Sequence, residues 1–208
     1  MTNWFHDVSI IVVAYENDAK LERCVRSCVA QTYPGRSFEV LIMHEANTPA
    51  VEDVVANYGR GQAVAGLVVA NDPQAIVAAA IRKCTGRFVL FVHQDDFISD
   101  FMILAQTLFL YDNPDYGAVS VDYWLIDSES DRKVARRSGA TDQLLEGVMF
   151  RKEIMVKLSR SEGAQFTYDP PHLAQVLARN TRIGHIPIAF YRRATRARET
   201  QVEAAVGS

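Results

Sequence analysis

The sequence predicts an α/β protein in which a mostly parallel sheet is covered by helices on both faces. Two observations lead there. Short apolar runs rich in Val and Ile recur through the first hundred positions, and each is too short for a helix. Between them lie segments with apolar residues at helical spacing, bounded by Asn, Asp, Thr, Pro and Gly. A strand–helix rhythm of this kind belongs to parallel sheets, whose crossover helices cover both faces and leave the strands continuously apolar.

Taken in order, "VSIIVVAY" (8–15) reads as a buried strand. Asn17 or Asp18 caps a helix with Leu21, Cys24, Val25, Cys28 and Val29 on one face, stopped before Pro34. "FEVLIM" (38–43) is the second strand. Thr48 caps and Pro49 opens the next helix, with Val51, Val54, Val55 and Tyr58 on one side and Gly59 past its end. "VAGLVVA" (64–70) is the third strand. Asp72 and Pro73 begin an alanine-rich helix that Gly86 terminates, and "RFVLFV" is the fourth strand.

The second half is less regular. Ser99 caps a helix, "DFMILAQTLFLYDN", that Pro114 closes, and "YGAVSVDYWLI" (116–126) is a strand. "DSESDRK" reads as a turn, "GVMF" and "KEIMVKL" as a strand and a short helix, and "RSEGAQFTYDPP" as a loop. A helix over 172–179 and the strand "RIGHIPIAFY" complete the fold, and 194–208 reads as a polar tail.

Bulk properties narrow the function. With 208 residues, 49% hydrophobic and 23% charged, the chain suits one globular domain. A net charge of -3 leaves no basic footprint, so no nucleic-acid partner is expected. Three cysteines without a CxxC pair suggest neither a disulfide framework nor a zinc site, and point to a reducing, cytoplasmic setting. "FMILAQTLFLY" falls short of the ~20 apolar residues a membrane span needs. "MTNWFHD" lacks the basic and apolar segments of a secretory signal.

In a parallel sheet, ligands bind beyond the carboxyl ends of the strands. The residues to watch are therefore Tyr15-Glu16-Asn17, His44-Glu45, Asn71-Asp72 and His93-Gln94-Asp95-Asp96. Two adjacent carboxylates at a strand end repel each other, so a divalent cation, a basic side chain or a helix N-terminus is expected opposite them.

At this point the residues resemble the inverting glycosyltransferases of family 2, which have the GT-A fold, a Rossmann-like sandwich. "VSIIVVAYEN…LERCVRSCVAQTYP" resembles the family's opening strand and helix. "FEVLIMHEANTP" stands where the family has a strand and an Asp pair, and "CTGRFVLFVHQDDF" resembles its glycine, strand and DxD-type metal motif. "GVMFRKEIMVKL" and "RIGHIPIAFYRR" resemble its acceptor-side segments. The resemblance implies a nucleotide-donor half over about 1–98 and an acceptor half over about 99–193.

It further implies that Ala14, Tyr15 and Glu16 line the base and ribose, and that Glu45 accepts a hydrogen bond from the base. By the same carry-over, Asp95 and Asp96 hold the ribose and a Mn2+ or Mg2+ ion on the donor diphosphate. The implied partners are a UDP- or GDP-linked sugar and a carbohydrate or other hydroxyl acceptor. The sequence departs from the family at His44-Glu45, at His93, around residue 77 where a diphosphate-binding Arg is missing, and at Pro170 in place of the base. Asp169 is then the candidate base, and Arg193, in the cluster Arg192, Arg193, Arg196 and Arg198, the candidate phosphate ligand.

Each of these residues also has a plainer reading. Asp95 and Asp96 suit a helix N-terminus, Glu45 a loop, Asp169 a turn before two prolines and the arginines a solvated face. His44 and His93 read as walls of the site, and His172 and His185 as surface or packing residues. Two other functions stay open: a catalytically silent nucleotide-sugar or protein-binding module, and a nucleotidyltransferase. The latter lacks the Gly-rich phosphate loop after the first strand.

Overall fold

A computed structural model describes residues 6–14, 19–35, 37–44, 48–59, 63–68, 79–80, 82–140, 145–162 and 170–195. The first half follows the expected rhythm. Strand β1 (His6–Val13) sits between β2 (Phe38–His44) and β4 (Gly86–His93) and is parallel to both. Strand β3 (Ala63–Val68) lies parallel to β2 at the edge. The crossovers carry α1 (Leu21–Val29) and α2 (Pro49–Tyr58).

The second half is mixed. Strand β8 (Met149–Arg151) is antiparallel to both β4 and β6 (Tyr116–Ile126), and β9 (Arg182–Ala194) runs parallel to β6. Helices α3 (Met102–Asp112), α4 (Lys152–Glu162) and α5 (Pro170–Asn180) accompany these strands.

Alternation along the strands divides the core in two. Ile10, Val12, Ile42, Phe88 and Leu90 pack with Leu21, Val51 and Met102 from α1, α2 and α3. Ile11, Val13, Met43, Val89 and Phe91 pack with Met155, Leu158, Leu173 and Leu177 from α4 and α5. Each such side chain contributes ~1.5–3 kcal/mol when buried, and Glu39, near the start of β2, is buried only with Ser9 and Thr85 donating to its carboxylate. Charged residues are pushed to the strand ends. Gly86 is needed because a Cβ there would lie 2.4 Å from the Ser9 nitrogen.

Several expectations are corrected. Two strands were not foreseen: β5 (Phe97–Ile98), antiparallel to β9, and β7 (Lys133–Arg137), antiparallel to β6. Ser99 does not cap α3 with its hydroxyl. The Met102 N–H bonds the Ser99 carbonyl at 3.0 Å, while the hydroxyl accepts from Arg192 Nη1 at 2.8 Å. Helix α5 begins at Pro170, where prolines are tolerated because a first turn leaves its N–H groups unused. The expected helix start at Asp72 and Pro73 lies outside the described residues.

One feature of the sheet positions the site. Strand β8 joins β4 only over Phe88–Leu90, and β6 only at Ala118 and Val119. Above that level β6 pairs with β7 instead, so the sheet splits between the ends of β4 and β6. A positive φ of 81° at Gly147 lets the chain turn into β8 beside the Tyr191 ring, 3.1 Å from where a Cβ would stand.

Candidate functional site

The ends of β1, β2 and β4 meet on one rim. Val13 is in register with Met43 on one side and His93 on the other. Backbone bonds continue past the strands: Gln94 N–H donates to Val13 O at 3.2 Å, and Ala14 N–H to Met43 O at 2.9 Å. Ala14 therefore sits on the rim as expected, buried and held by its main chain. Tyr15, Glu16 and Glu45 lie outside the described residues. His44 is buried at the end of β2, with its ring against Gly66 of β3.

The turn after β4 carries the two acids. Asp95 N–H donates to His93 Nδ1 at 3.2 Å, and its carboxylate lies 3.6 Å from the same nitrogen. The Asp95 side chain is 34% exposed. Arg23 of α1 holds the turn from below: its Nη2 donates to Asp95 O at 2.6 Å, and its guanidinium lies 4.7 Å from the Phe97 ring centre. Its Nη1 pairs with Asp131, and Lys20 donates to Ser128 O. The tip of the β6–β7 hairpin is thereby tied to the start of α1, beside Asp95. Neither basic residue was singled out by sequence reasoning, because their partners lie some 70 to 108 residues away.

Asp96 faces the other way. Its side chain is fully buried. One carboxylate oxygen accepts from the Tyr191 hydroxyl at 2.7 Å and the other from Ala194 N–H at 2.9 Å. The Tyr191 oxygen in turn accepts from His93 N–H at 3.4 Å. Burial, reinforced by the negative charge of Asp96, pushes the Tyr191 phenol well above its usual pKa. Both Asp96 oxygens are thus engaged inside the protein, and the acids expected to hold a metal together are not presented as a pair. Asp95 is the one on the rim.

The remaining candidates are scattered. Arg193 lies on β9 in register with Leu125, next to the Ala194 that bonds Asp96. Asp169 lies outside the described residues, directly before the first residue of α5. His185, expected to be a surface or packing residue, joins a part-buried cluster. Its Nε2 is 3.0 Å from Asp122, its Nδ1 is 2.9 Å from Ser120 Oγ, and Arg136 donates to Asp122 at 2.6 Å.

Desolvation alone would raise the Asp122 pKa. The Arg136 hydrogen bonds and the neighbouring charges outweigh it and hold the carboxyl below the usual range. A depressed folded-state pKa contributes stability that is complete above the unfolded value of about 3.9 and disappears as pH falls through the folded value. Asp122→Asn should therefore cost stability at pH 7 and much less at the acidic end. Urea denaturation at a series of pH values checks this, and a pH-independent difference would remove Asp122 from the acid limb.

A cavity of about 570 Å³ lies away from this rim, between α5 and strands β6 and β9. The strand ends are the better candidate site, because they combine the split in the sheet with an accessible carboxylate.

Residues 6–198 match the family described as "Glycosyltransferase like family 2". The chain belongs to this family. Among solved structures, S. aureus TarS 1-349 in complex with UDP-GlcNAc superimposes with a TM-score of 0.72 at 17% identity, over 91% of this chain and 59% of that one. The mannosyltransferase PcManGT from Pyrobaculum calidifontis, in complex with GDP-Man and Mn2+, gives 0.68 at 19% identity over 97% and 63%. These similarities establish the GT-A fold. A poly(ribitol-phosphate) beta-glucosyltransferase of Bacillus spizizenii (strain ATCC 23059 / NRRL B-14472 / W23) is 26% identical over 110 residues, 51% of this chain and 17% of that protein. The family 2 chain thus spans less than two thirds of the relatives it matches.

Proposed function

We propose that this family 2 chain transfers a sugar from a nucleotide-linked donor to an acceptor hydroxyl, with inversion and with the help of a divalent metal. The observation that carries the reading is Asp95, an accessible carboxylate held at the strand ends, where the sheet splits. A Mn2+ or Mg2+ ion fits this donor set. Hard cations take oxygen ligands, and Mg2+ commonly uses one or two carboxylates with substrate phosphates. Among the described residues no group of three or more His, Cys, Asp or Glu could hold a metal, so the reading requires the donor diphosphate to supply further ligands. When bound, the ion would supply Lewis-acid stabilisation of the departing nucleotide.

The chain's own residues divide the remaining work. Asp95 anchors the donor end, Ala14, Tyr15 and Glu16 line the base and ribose, Glu45 accepts from the base, and Arg193 meets phosphate oxygens. The acceptor oxygen bonds to the anomeric carbon as the carbon–oxygen bond to the diphosphate breaks, its electrons leaving with the nucleotide. Asp169 takes the acceptor proton. Support for the donor class comes from relatives in complex with UDP-GlcNAc and GDP-Man. A cytoplasmic setting suits three buried free cysteines and the lack, among the described residues, of any helix long and apolar enough to cross a membrane.

The test is release of nucleoside diphosphate from UDP- and GDP-sugars, with and without Mn2+, in the presence of hydroxyl acceptors. Metal-dependent release supports the reading; failure to bind any nucleotide sinks it. Pro170, standing where the family has its acid, favours a second reading in which the chain binds nucleotide sugar without turning it over. Tight binding with no turnover would select that one.

Arg23 gives a sharper check. Its bond to Asp95 is to the main-chain carbonyl, so it acts as a positioning residue. Arg23→Ala should weaken Mn2+-dependent UDP binding ~10-fold or more, the usual effect of losing a group that orients a ligand residue. Arg23→Lys should recover part of it. Titration calorimetry would read the change, and unaltered affinity in Arg23→Ala would reduce the residue to a hairpin tie.

A further inference from the structure

We propose that the cavity between α5 and the β6–β9 edge is a second small-molecule site, separate from the strand-end rim, for a compound with a flat apolar body and one anionic group. Its volume of about 570 Å³ lies within the range of ligand pockets, roughly 300–1,000 Å³. Small residues create the space. Helix α5 contributes Ala174, Leu177 and Ala178, which share one face, and Gly139 and Ala140 contribute almost no side chain opposite.

The site is distinct from the rim. Strand register pairs Ser120 with His185 and Tyr123 with Tyr191, the residue that bonds Asp96. At ~3.3 Å per residue, Ser120 and His185 lie about 10 Å below that level, and Tyr116, paired with Arg182, lies further still. Gly139 and Val148 mark the end of the cavity nearest the rim.

The walls indicate the ligand's chemistry. The two nitrogens of His185 face Ser120 and Asp122, so its ring offers the cavity carbon edges and faces rather than hydrogen bonds. Ser120 donates to Gly184 O at 3.1 Å, which occupies its hydroxyl proton. Asp122, behind the ring, is itself paired with Arg136. The wall offered to a guest combines apolar surface from Val148, Ala174, Leu177 and Ile183 with the Thr181 side chain. Arg182 supplies positive charge: its guanidinium is stacked 4.4 Å from the Tyr116 ring centre and donates to the Tyr116 hydroxyl at 3.0 Å. Among the described lining residues there is no Asp or Glu. An arginine pre-set on an aromatic ring beside a partly apolar slot complements a carboxylate, sulfonate or phosphate on a flat body.

Anilinonaphthalene sulfonate has this chemistry and reports binding by fluorescence. Saturable one-to-one binding is expected, unchanged by saturating UDP and Mn2+. Ala178→Phe, which fills the slot, should weaken it ~10-fold or more, and Arg182→Gln should weaken it ~5-fold, as expected for loss of one exposed charged partner. Circular dichroism and the unfolding midpoint confirm that each variant is folded. Should Ala178→Phe fail to fold, Ala174→Leu is the second filling variant. No saturable binding to the wild type overturns the proposal, as does displacement by UDP or unchanged affinity in a folded, cavity-filled variant.

Discussion

Asp95→Ala is expected to abolish the Mn2+-dependent part of UDP binding and to slow sugar transfer by ~10²-fold or more. A Lewis acid on a departing diphosphate is worth several kcal/mol, and each ~1.4 kcal/mol is tenfold in rate. The fold should scarcely notice. The turn is held by the Asp95 N–H on His93 Nδ1 and by Arg23 on the Asp95 carbonyl, main-chain bonds that survive loss of the carboxylate. An accessible side chain removed in this way typically shifts stability by no more than about 0.5 kcal/mol. Asp95→Asn, which keeps the shape and removes the charge, should behave like the alanine variant. Calorimetry of UDP with and without Mn2+ is the measurement. Metal-dependent binding of undiminished strength in both variants would move the metal to another residue.

Asp96→Ala should have the opposite signature: a large loss of stability. It leaves two buried donors, the Tyr191 hydroxyl and the Ala194 N–H, without their acceptor. Each orphaned group costs ~1–3 kcal/mol, so a total of roughly 2–5 kcal/mol is expected. For a chain of this size that lowers the unfolding midpoint by roughly 5–15 °C. Tyr191→Phe removes one of the two bonds and should cost about 1–2 kcal/mol. The two substitutions should be non-additive, since they share a partner. Thermal unfolding of both variants and of the double variant tests this. An Asp96→Ala protein with a wild-type midpoint but no Mn2+ binding would restore Asp96 as a metal ligand.

The half of the fold that was easiest to read is the half with the simplest physics. Parallel strands buried on both faces need unbroken apolar runs, and β1, β2 and β4 carry them at the expected places. Strand β7 was missed because "KVARR" is largely exposed and has no core-facing period. It is a strand because β6, which β8 accompanies only at Ala118 and Val119, leaves an edge for it to pair with. At two residues, β5 is too short for any periodicity to register, and only β9 makes it a strand. Ser99 has the composition of a cap, but Arg192 reaches its hydroxyl from β9.

What the sequence determined by itself is that a buried strand ends in two adjacent carboxylates, on the rim where a parallel sheet receives its ligands. Local pattern suffices for that, because burial of alternate side chains and the rule for strand ends both act over a few residues. Which carboxylate meets solvent was decided only by the tertiary structure. Two neighbouring residues in a turn can exchange roles at little local cost, so the choice rests with what waits opposite each one. Tyr191 and Ala194, 95 and 98 positions further along, bring two buried donors to Asp96. Arg23, 72 positions earlier, grips the Asp95 main chain and leaves its side chain outside. Buried donors demand an acceptor, and a charge without one must stay in water.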